Sequence, residues 1–251
     1  MKRKLNFSNL DFESFKKTAL NENLSIHEKV GFPDSYREGR EEEIFNDIKA
    51  KLSSLNVVGS IVLEIGPGCS NLPIFLIRHC EINAQKLIFV DSKEMLDLLP
   101  KKKGIKKIAG RFPLNEEFLS FYKGKIKTII IYSVIQYELV SGNIFNFFDS
   151  ALSLLEIGGE ILLGDIPNST MRKRFFNSPT GIAFHKDFVG GKVTPVPDIN
   201  FNTLEPGKID DSIVLALLTR ARNQGYHAWI LPQAPNLPMS NRREDILIKR
   251  P

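Results

Sequence analysis

The sequence is poor in cysteine and has no long apolar run. Only two cysteines occur in 251 residues, Cys69 and Cys80, which is too few for a disulfide framework and indicates a reducing compartment. No apolar run approaches the roughly 18 residues that a membrane span requires, and the start Met-Lys-Arg-Lys is not followed by the apolar core of a signal peptide. These absences predict a cytoplasmic protein.

The sequence also lacks the residue spacing of a metal site, and its net charge is small. The four histidines, at positions 27, 79, 185 and 227, lack the spacing of a metal site, so no bound metal is expected. The net charge of +5 favours an anionic substrate but is far from that of a dedicated nucleic-acid binder. The most basic patch, 100–107, has no aromatic residues for base stacking, and we expect a solvated surface there.

The sequence does contain a buried strand that leads through glycines into an apolar helix. The strand begins at Ile61, the glycines are Gly66 and Gly68, and the helix begins at Leu72. Glycine allows a positive φ and lets a ligand lie against bare backbone. The amino end of the helix presents free N–H groups and the positive end of its dipole. The segment therefore predicts a binding site for a nucleotide-like small molecule.

The residues around these glycines favour a ligand without phosphate. No glycine stands at Asn71 to complete the dinucleotide pattern G-x-G-x-x-G, and the Gly-Lys-Ser/Thr ending of a phosphate-binding loop is absent. Glu64 precedes the first glycine by two positions. Its carboxylate would repel phosphate but can accept hydrogen bonds from an ammonium or a hydroxyl group. S-adenosylmethionine fits this description, because it carries a sulfonium, an ammonium and a ribose and no phosphate.

The segment from Glu64 to Ser70 resembles motif I of the class I S-adenosylmethionine-dependent methyltransferases, which has the form E/D-x-G-x-G-x-G. Ser70 replaces the third glycine. The resemblance implies an α/β fold with a doubly wound, mostly parallel seven-stranded sheet whose last strand is antiparallel. It also implies that S-adenosylmethionine is bound by Glu64, Gly66, Pro67 and Gly68. Further strand ends in the right order extend the resemblance over about residues 40–251.

The second predicted strand ends in a carboxylate at Asp91, about 20 residues after the glycines. An adenosine-binding α/β unit holds the ribose hydroxyls at this position, so we expect Asp91 to bind the cofactor ribose. In the family, the continuation from Ser92 also belongs to the cofactor site, with Met95 covering the adenine. The alternative is that Asp91 merely caps the helix that follows.

The resemblance implies cofactor contacts at two further strand ends. After the third strand, predicted at Lys107–Gly110, the family often supplies an acid for the adenine amino group, but Arg111 stands here. A backbone contact from Arg111 or Phe112, or stacking by Phe112, would replace it. The fourth strand is the most apolar run, as expected of a central parallel strand. Its exit at Ser133 and Val134 resembles the motif that passes the methyl donor.

Motifs that the chain lacks narrow the methyl acceptor. The Asn/Asp-Pro-Pro-Tyr/Phe signature of N-methyltransferases is absent, as is the aspartate cluster of metal-dependent O-methyltransferases. We therefore expect transfer to an oxygen of a small anionic or saccharide-like metabolite. A second resemblance, carried by Gly-Phe-Pro-Asp-Ser-Tyr-Arg at 31–37 and by the end of the chain, is to methyltransferases of bacterial surface-polysaccharide pathways, which modify capsule or O-antigen.

Candidates for a general base and for acceptor binding lie in the second half of the chain. A base is needed only if the acceptor must lose a proton; the candidates are His185, Tyr137 and Asp165, although His185 can equally be an exposed loop residue. Gln136 and Tyr137 are expected to contact the acceptor. Three arginines can bind its anionic group or pair with acids at the surface: Arg172, Arg242 and Arg243.

Two segments are predicted to cover the site. Residues 1–40 form a cap or lid with some helix, in which a loop carries Tyr36 and Arg37 over the cofactor carboxylate, or else leaves Arg37 solvated. Residues 41–251 form the cofactor-binding domain. Its connection at about 169–207 is long for a loop and has the aromatic and basic residues of a substrate cover.

The sequence thus predicts an S-adenosylmethionine-dependent methyltransferase, and two other functions stay open. One is methylation of RNA or protein, favoured by the basic patch at 100–107. The other is a binding protein that keeps the fold without catalysis, suggested by Ser70 and by the missing acid near adenine.

Overall fold

A single seven-stranded sheet forms the centre of the molecule. The structure is a computed structural model that describes residues 10–188, 199–201, 203 and 205–251. The strand order is β3-β2-β1-β4-β5-β7-β6. Six strands run parallel, and β7 is antiparallel to both of its neighbours. The predicted fold class is therefore confirmed. The strands are β1 Ile61–Ile65, β2 Lys86–Asp91, β3 Ile105–Ala109, β4 Ile126–Tyr132, β5 Leu155–Pro167, β6 His227–Pro232 and β7 Arg243–Lys249.

Helices cover both faces of the sheet and one end of it. Short 3-10 turns at Ser53–Asn56 and Ser240–Arg242 complete the regular structure of the described residues. Across these residues, no helix combines the length and apolarity needed to span a bilayer. The helices are α1 Phe12–Leu20, α2 Ile26–Lys29, α3 Asp34–Arg37, α4 Glu41–Lys51, α5 Leu72–Ile82, α6 Lys93–Leu98, α7 Glu116–Tyr122, α8 Ile135–Ser141, α9 Ile144–Leu154, α10 Ser169–Phe176, α11 Pro179–Phe188 and α12 Asp211–Asn223.

The apolar core lies in two layers, one on each face of the sheet. In β1, Val62 packs with the layer under α4, α5 and α6, whereas its neighbour Leu63 packs with the layer under α7, α9 and α12. This alternation follows from the two-residue period of a strand. Central strands buried on both faces read as continuous apolar runs, which is why β4 was recognisable. Because both faces are closed, a ligand can reach the sheet only at the strand ends.

Several element boundaries differ from those predicted. The third strand begins at Ile105 instead of Lys107, because Ile105 already pairs with Leu87 of β2. The loop predicted across Tyr36 and Arg37 is wrong, since both residues lie in α3. The described part of the connection at 169–207 contains α10 and α11, so it is not an irregular loop there.

Candidate functional site

Two cavities adjoin at the edge of the sheet where the parallel strands end. The glycine-turn cavity, defined by Gly66, Gly68, Asp91 and Val134, encloses about 820 Å³ including the solvent at its mouth. The arginine cavity is larger, about 1370 Å³, and is defined by three guanidinium groups. Phe32 and Tyr137 line both cavities and form the partition between them. The guanidinium groups of the arginine cavity are those of Arg172, Arg242 and Arg243.

The glycine turn brings bare backbone to the wall of its cavity. Gly66 and Gly68 adopt φ values of +71° and +64°, a region that L side chains rarely enter. A Cβ on Gly66 would lie 2.5 Å from a methyl carbon of Val134, and one on Gly68 would lie 2.6 Å from Val30. Both conformation and space therefore require glycine here. Pro67, between them, also lines the cavity.

Asp91 joins the end of β2 to the glycine turn. Its Oδ2 accepts the Gly68 N–H at 3.0 Å and its Oδ1 accepts the Ser92 N–H at 2.6 Å. Burial nevertheless raises the pKa of Asp91 to about 6. The alternative that Asp91 caps α6 is wrong, because the Ser92 side chain is the cap and accepts the Met95 N–H. Each Asp91 oxygen keeps a lone pair for a ligand hydroxyl.

Glu64 lies behind the turn, on β1, and is not part of the cavity wall. It is 3% exposed, and among the described residues its Oε2 has no hydrogen-bond partner. Burial, followed by the nearby negative charge of Asp91, raises the pKa of Glu64 to about 8. A buried carboxylate without a partner is costly. A cationic group in the glycine-turn cavity, acting directly or through water, would relieve that cost.

A third carboxylate, which the sequence did not reveal, enters the same cavity from α8. Glu138 lines the cavity and accepts hydrogen bonds from the Arg111 Nε and Nη2 at 3.2 and 3.1 Å. Burial raises the pKa of Glu138 against the opposing effect of Arg111. Phe112 is 3% exposed and packs edge-on against Phe147 in the core, so its ring does not line the cavity. No local pattern marks Glu138, since its partner is 27 residues away.

Asp165 lines neither cavity, but it is the centre of a buried ion network that takes Arg37 from the wall of one cavity and Arg243 from the wall of the other. Arg37 and Arg243 each place a guanidinium nitrogen 2.7 Å from its Oδ2, and the Ser133 hydroxyl donates to the same oxygen. Burial raises the pKa of Asp165, but the two guanidiniums and Ser133 outweigh it and leave that pKa lowered. Ser133 and Asp165 both have positive φ, +60° and +58°, so the strand ends are strained at this junction.

The cap contributes side chains to both cavities. Arg37 lines the glycine-turn cavity, where its guanidinium lies 4.0 Å from the centre of the Phe32 ring, whereas Tyr36 lines the arginine cavity. His27 fastens the cap, because its ring nitrogens lie 2.8 Å from Asp34 and 2.6 Å from Glu41. His27 thereby links α2, α3 and α4. The sequence did not predict this link, because His27 was considered there only as a possible metal ligand.

Gln136 and Tyr137 lie where the two cavities meet. The Gln136 Nε2 donates to the Ser133 carbonyl at 2.8 Å, and its Oε1 is buried without a partner among the described residues. The Tyr137 ring packs edge-on against Phe15, with centroids 4.9 Å apart. Burial raises the pKa of Tyr137, so its phenol stays neutral at physiological pH. The pair offers one free acceptor oxygen and one neutral hydroxyl.

The remaining predicted residues lie farther from the partition. Met95 lines the glycine-turn cavity. His185 lies on α11, lines neither cavity, and packs perpendicular to the Phe176 ring at 6.1 Å. In the basic patch, Lys107 donates to the carbonyls of Leu96 and Leu99, and the patch adjoins the start of β3. It is therefore at the opposite end of the strands from both cavities.

Comparison with known proteins gives matches in structure but not in sequence. No protein-family model matches the sequence, and no curated protein matches it. The N-methyltransferase NodS from Bradyrhizobium japonicum, solved with S-adenosylhomocysteine, is 15% identical with a TM-score of 0.56; the match covers 96% of this chain and 98% of NodS. The plantazolicin methyltransferase BpumL, solved with a desmethylplantazolicin analogue and S-adenosylhomocysteine, is 12% identical with a TM-score of 0.57, over 96% and 98% of the chains.

A third solved structure has the same architecture. The geranyl diphosphate C-methyltransferase from Streptomyces coelicolor is 10% identical with a TM-score of 0.54, over 93% of this chain and 87% of that one. The fold is that of the class I methyltransferases. At these identities the likeness extends to the fold alone, and the three neighbours include both an N- and a C-methyltransferase. The fold therefore does not determine the reaction, which depends on the residues that line the cavities of this chain.

Proposed function

We propose that this protein is an S-adenosylmethionine-dependent methyltransferase that acts on an oxygen of a small anionic or saccharide-like acceptor. The observation that carries the proposal is the set of buried carboxylates around the glycine turn. Glu64 and Asp91 both have raised pKa values, about 8 and about 6, and Glu64 Oε2 has no partner among the described residues. A ligand with a cationic centre and a ribose satisfies both groups.

The residues present fit this cofactor. Asp91 would hold the ribose hydroxyls, the backbone of Gly66 and Gly68 would allow close approach, and Glu64 would face the ammonium. Arg37, which lines the same cavity, would face the carboxylate. Glu138, which lines the same cavity, would serve in place of the missing acid near adenine. When bound, the cofactor supplies an electrophilic methyl group on its sulfonium.

The chain's own part in transfer is alignment and exclusion of water. Phe32 and Tyr137 form the partition, so an acceptor in the arginine cavity would meet the methyl donor beside them. The Gln136 Oε1 would accept a hydrogen bond from the acceptor hydroxyl and so direct its oxygen. That hydroxyl proton passes to solvent as the C–O bond forms and the C–S bond breaks.

The three proposed bases differ in how well their surroundings suit the role. Asp165 keeps its charge and lines neither cavity; its Oδ2 is engaged by Arg37, Arg243 and Ser133, and its Oδ1 accepts a hydrogen bond from Gln233 at 3.4 Å. Tyr137 lines both cavities as a neutral phenol, which suits orientation of the acceptor. His185 lines neither cavity. We therefore propose Tyr137 and Gln136 as the orienting pair.

The other functions gain no support from the site. The basic patch at 100–107 lies at the opposite end of the strands, so it does not favour an RNA acceptor. A role in surface-polysaccharide modification stays a prediction from the sequence. Against a fold that has lost catalysis, Ser70 lines the glycine-turn cavity without disrupting the turn, and Glu138 supplies a carboxylate.

Calorimetric titration with S-adenosylhomocysteine tests the proposal. We expect micromolar binding to the wild type, a loss of binding in Asp91→Ala, and no binding of NADH as a control. Asp97→Ala, which changes an exposed aspartate on α6, should bind as the wild type does. Equal binding to the wild type and Asp91→Ala, or preferential binding of NADH, would overturn the proposed cofactor.

A further inference from the structure

The arginine cavity holds more positive charge than its described surroundings neutralise. Of its three guanidiniums, only that of Arg243 forms an ion pair with another described residue, Asp165. Arg172 and Arg242 instead lie 5.4 and 5.7 Å from the centre of the Phe176 ring. In the part of the chain that the structure describes, neither has a carboxylate within ion-pair distance. Both line the cavity. Arg242 Nη1 donates a hydrogen bond to the Asn241 Oδ1 at 3.1 Å, but this neutral partner leaves the charge of Arg242 uncompensated.

The other charges at this cavity do not cancel the excess. Glu205 and Lys208 both line it. Glu205 pairs with Lys173 at 3.1 Å and with Lys208 at 4.0 Å, so this carboxylate already serves two cations. Its charge is therefore not available to Arg172 or Arg242.

Bringing these guanidiniums together is unfavourable without an anion. Arg242 is partly buried, and burial lowers its pKa; the positive charges of Arg243 and Arg172 lower it further, against the opposing effect of Tyr36. Like charges held close in a partly desolvated cavity repel each other more strongly than in water. An anion between Arg172 and Arg242 would convert this repulsion into two charge-assisted interactions.

The same cavity also offers hydrogen bonding, through two uncharged side chains. Gln136 Oε1 is buried, has no partner among the described residues, and belongs to a residue that lines the arginine cavity. Tyr137 stands beside it and also lines the glycine-turn cavity. A ligand that fills the arginine cavity thus meets two guanidiniums at one place and an unpaired carbonyl oxygen near the partition.

We propose that the acceptor is a phosphate monoester. Its phosphoryl group lies between Arg172 and Arg242, and its hydroxyl donates to the Gln136 Oε1. Two unneutralised guanidiniums match the dianionic charge of a phosphate monoester better than the single charge of a carboxylate or sulfate ester, and guanidinium binds phosphate oxygens in pairs. This inference rests on the proposed function, since it places the methyl donor in the adjoining cavity.

The test compares two probes of similar shape that differ in charge, phenyl phosphate and phenyl sulfate. Each is titrated calorimetrically at pH 8 into the wild type, Arg172→Gln, Arg242→Gln and the double variant. We expect phenyl phosphate to bind at least about tenfold more tightly than phenyl sulfate, about tenfold more weakly to each single variant, and about a hundredfold more weakly to the double variant.

Arg174→Gln is the matched control. Arg174 is on α10, as Arg172 is, but it pairs with Asp211 and is 51% exposed. Its replacement removes the same charge and should change phenyl phosphate binding by less than about twofold. Equal affinity for the two probes, or equal weakening in Arg174→Gln and the cavity variants, would overturn the inference.

A parallel titration with S-adenosylhomocysteine separates this inference from the proposed function. The cavity variants should bind it as the wild type does, which also shows that they are folded. Binding of S-adenosylhomocysteine without selective binding of phenyl phosphate would overturn the phosphate monoester and leave the methyltransferase standing. Selective binding of phenyl phosphate without S-adenosylhomocysteine would overturn the proposed function and, with it, the role of the phosphate monoester as methyl acceptor; only a phosphate-binding cavity would be left.

Discussion

The two cavities at the carboxyl edge of the sheet carry opposite charge. The glycine-turn cavity has Asp91 and Glu138 in its wall and Glu64 behind it, and burial raises the pKa of all three. The arginine cavity has Arg172 and Arg242 without carboxylate partners among the described residues. Asp165 pairs through its Oδ2 with an arginine from each wall, Arg37 and Arg243; Ser133 donates to the same oxygen, and Gln233 donates to Oδ1 at 3.4 Å.

This difference indicates which ligand each cavity suits. Glu138 pairs with Arg111, but Glu64 and Asp91 have no cationic partner among the described residues and favour a ligand with positive charge, whereas guanidiniums without carboxylate partners favour an anion. The ion network around Asp165 forms a compensated boundary between the two regions, because it pairs Arg37 from one wall and Arg243 from the other with the same carboxylate. A cationic methyl donor and an anionic acceptor would each find a complementary environment on its own side of Phe32 and Tyr137.

The largest effect is expected from breaking the boundary. Arg37→Ala leaves Asp165 buried with one guanidinium partner fewer, and we expect a loss of about 3–5 kcal/mol in the free energy of unfolding. Urea denaturation measures this loss. Arg40→Ala removes an exposed pair with Glu43 and should cost under about 1 kcal/mol. Adding Asp165→Asn to Arg37→Ala should recover part of the lost stability, because it removes the buried charge. Equal destabilisation by Arg37→Ala and Arg40→Ala would contradict the proposed role of the ion network.

The second-largest effect is expected on the binding of S-adenosylhomocysteine, when a side chain is introduced into the glycine-turn cavity. Gly66→Ala places a methyl group against Val134, so we expect S-adenosylhomocysteine affinity to fall by about a hundredfold. Gly59→Ala is the matched control, because Gly59 has nearly the same φ, +73°, and its Cβ would meet nothing within 4 Å. Titration of both variants with S-adenosylhomocysteine separates the effect of lost space from that of backbone strain. Comparable losses of affinity in the two variants would show that the cavity is not the binding site.

A smaller effect on ligand binding is expected when the buried carboxylate of Glu64 is neutralised. Glu64→Gln removes the charge opposite the ligand ammonium, and we expect about tenfold weaker binding of S-adenosylhomocysteine. Without ligand, folding raises the Glu64 pKa from 4.5 to about 8. The wild type should therefore lose stability as pH rises through this interval, whereas the variant should lose less.

Thermal melting midpoints of wild type and Glu64→Gln between pH 5 and pH 8.5 check this prediction. Asp91, whose pKa is raised from 3.8 to about 6, contributes a loss of the same sign below pH 6 in both proteins. The difference between the proteins should therefore be widest near pH 8. Parallel curves would mean that Glu64 is not a buried, uncompensated acid.

The smallest effect is expected at the basic patch. Lys101 and Lys103 are exposed and far from both cavities, so replacing both with glutamine should change cofactor and phenyl phosphate affinity by less than about twofold. An RNA-binding assay across salt concentrations completes the test. Strong RNA binding by the wild type that is lost in the double variant would support RNA as the methyl acceptor.

Local sequence patterns predicted the sheet well and the partners of buried polar groups poorly. The run through β1 and the glycines after it identified the ligand edge, because strand period and glycine conformation are local properties. Arg37 meets Asp165 across 128 positions of chain, and Arg111 meets Glu138 across 27. No periodicity encodes such pairs, so the ion network and the third carboxylate became visible only in the folded chain.

The helical segments missed at the sequence level have a similar cause. In α3 only four residues are helical, too few for an apolar period. In α10, Asn168 caps the helix by accepting the N–H groups of Thr170 and Met171, and this asparagine followed by serine was a usable start signal. The basic and aromatic composition of the segment indicates a substrate cover, but composition alone does not reveal a helix.

A crystal structure of the protein with S-adenosylhomocysteine is the most direct test of the charge division between the cavities. We predict the adenosyl group in the glycine-turn cavity, its ribose hydroxyls on Asp91, and its ammonium facing Glu64 directly or through one water molecule. The arginine cavity should then remain open beside the sulfur atom. An adenosyl group seated among Arg172 and Arg242, or an ammonium directed away from Glu64, would contradict the assignment of the two cavities.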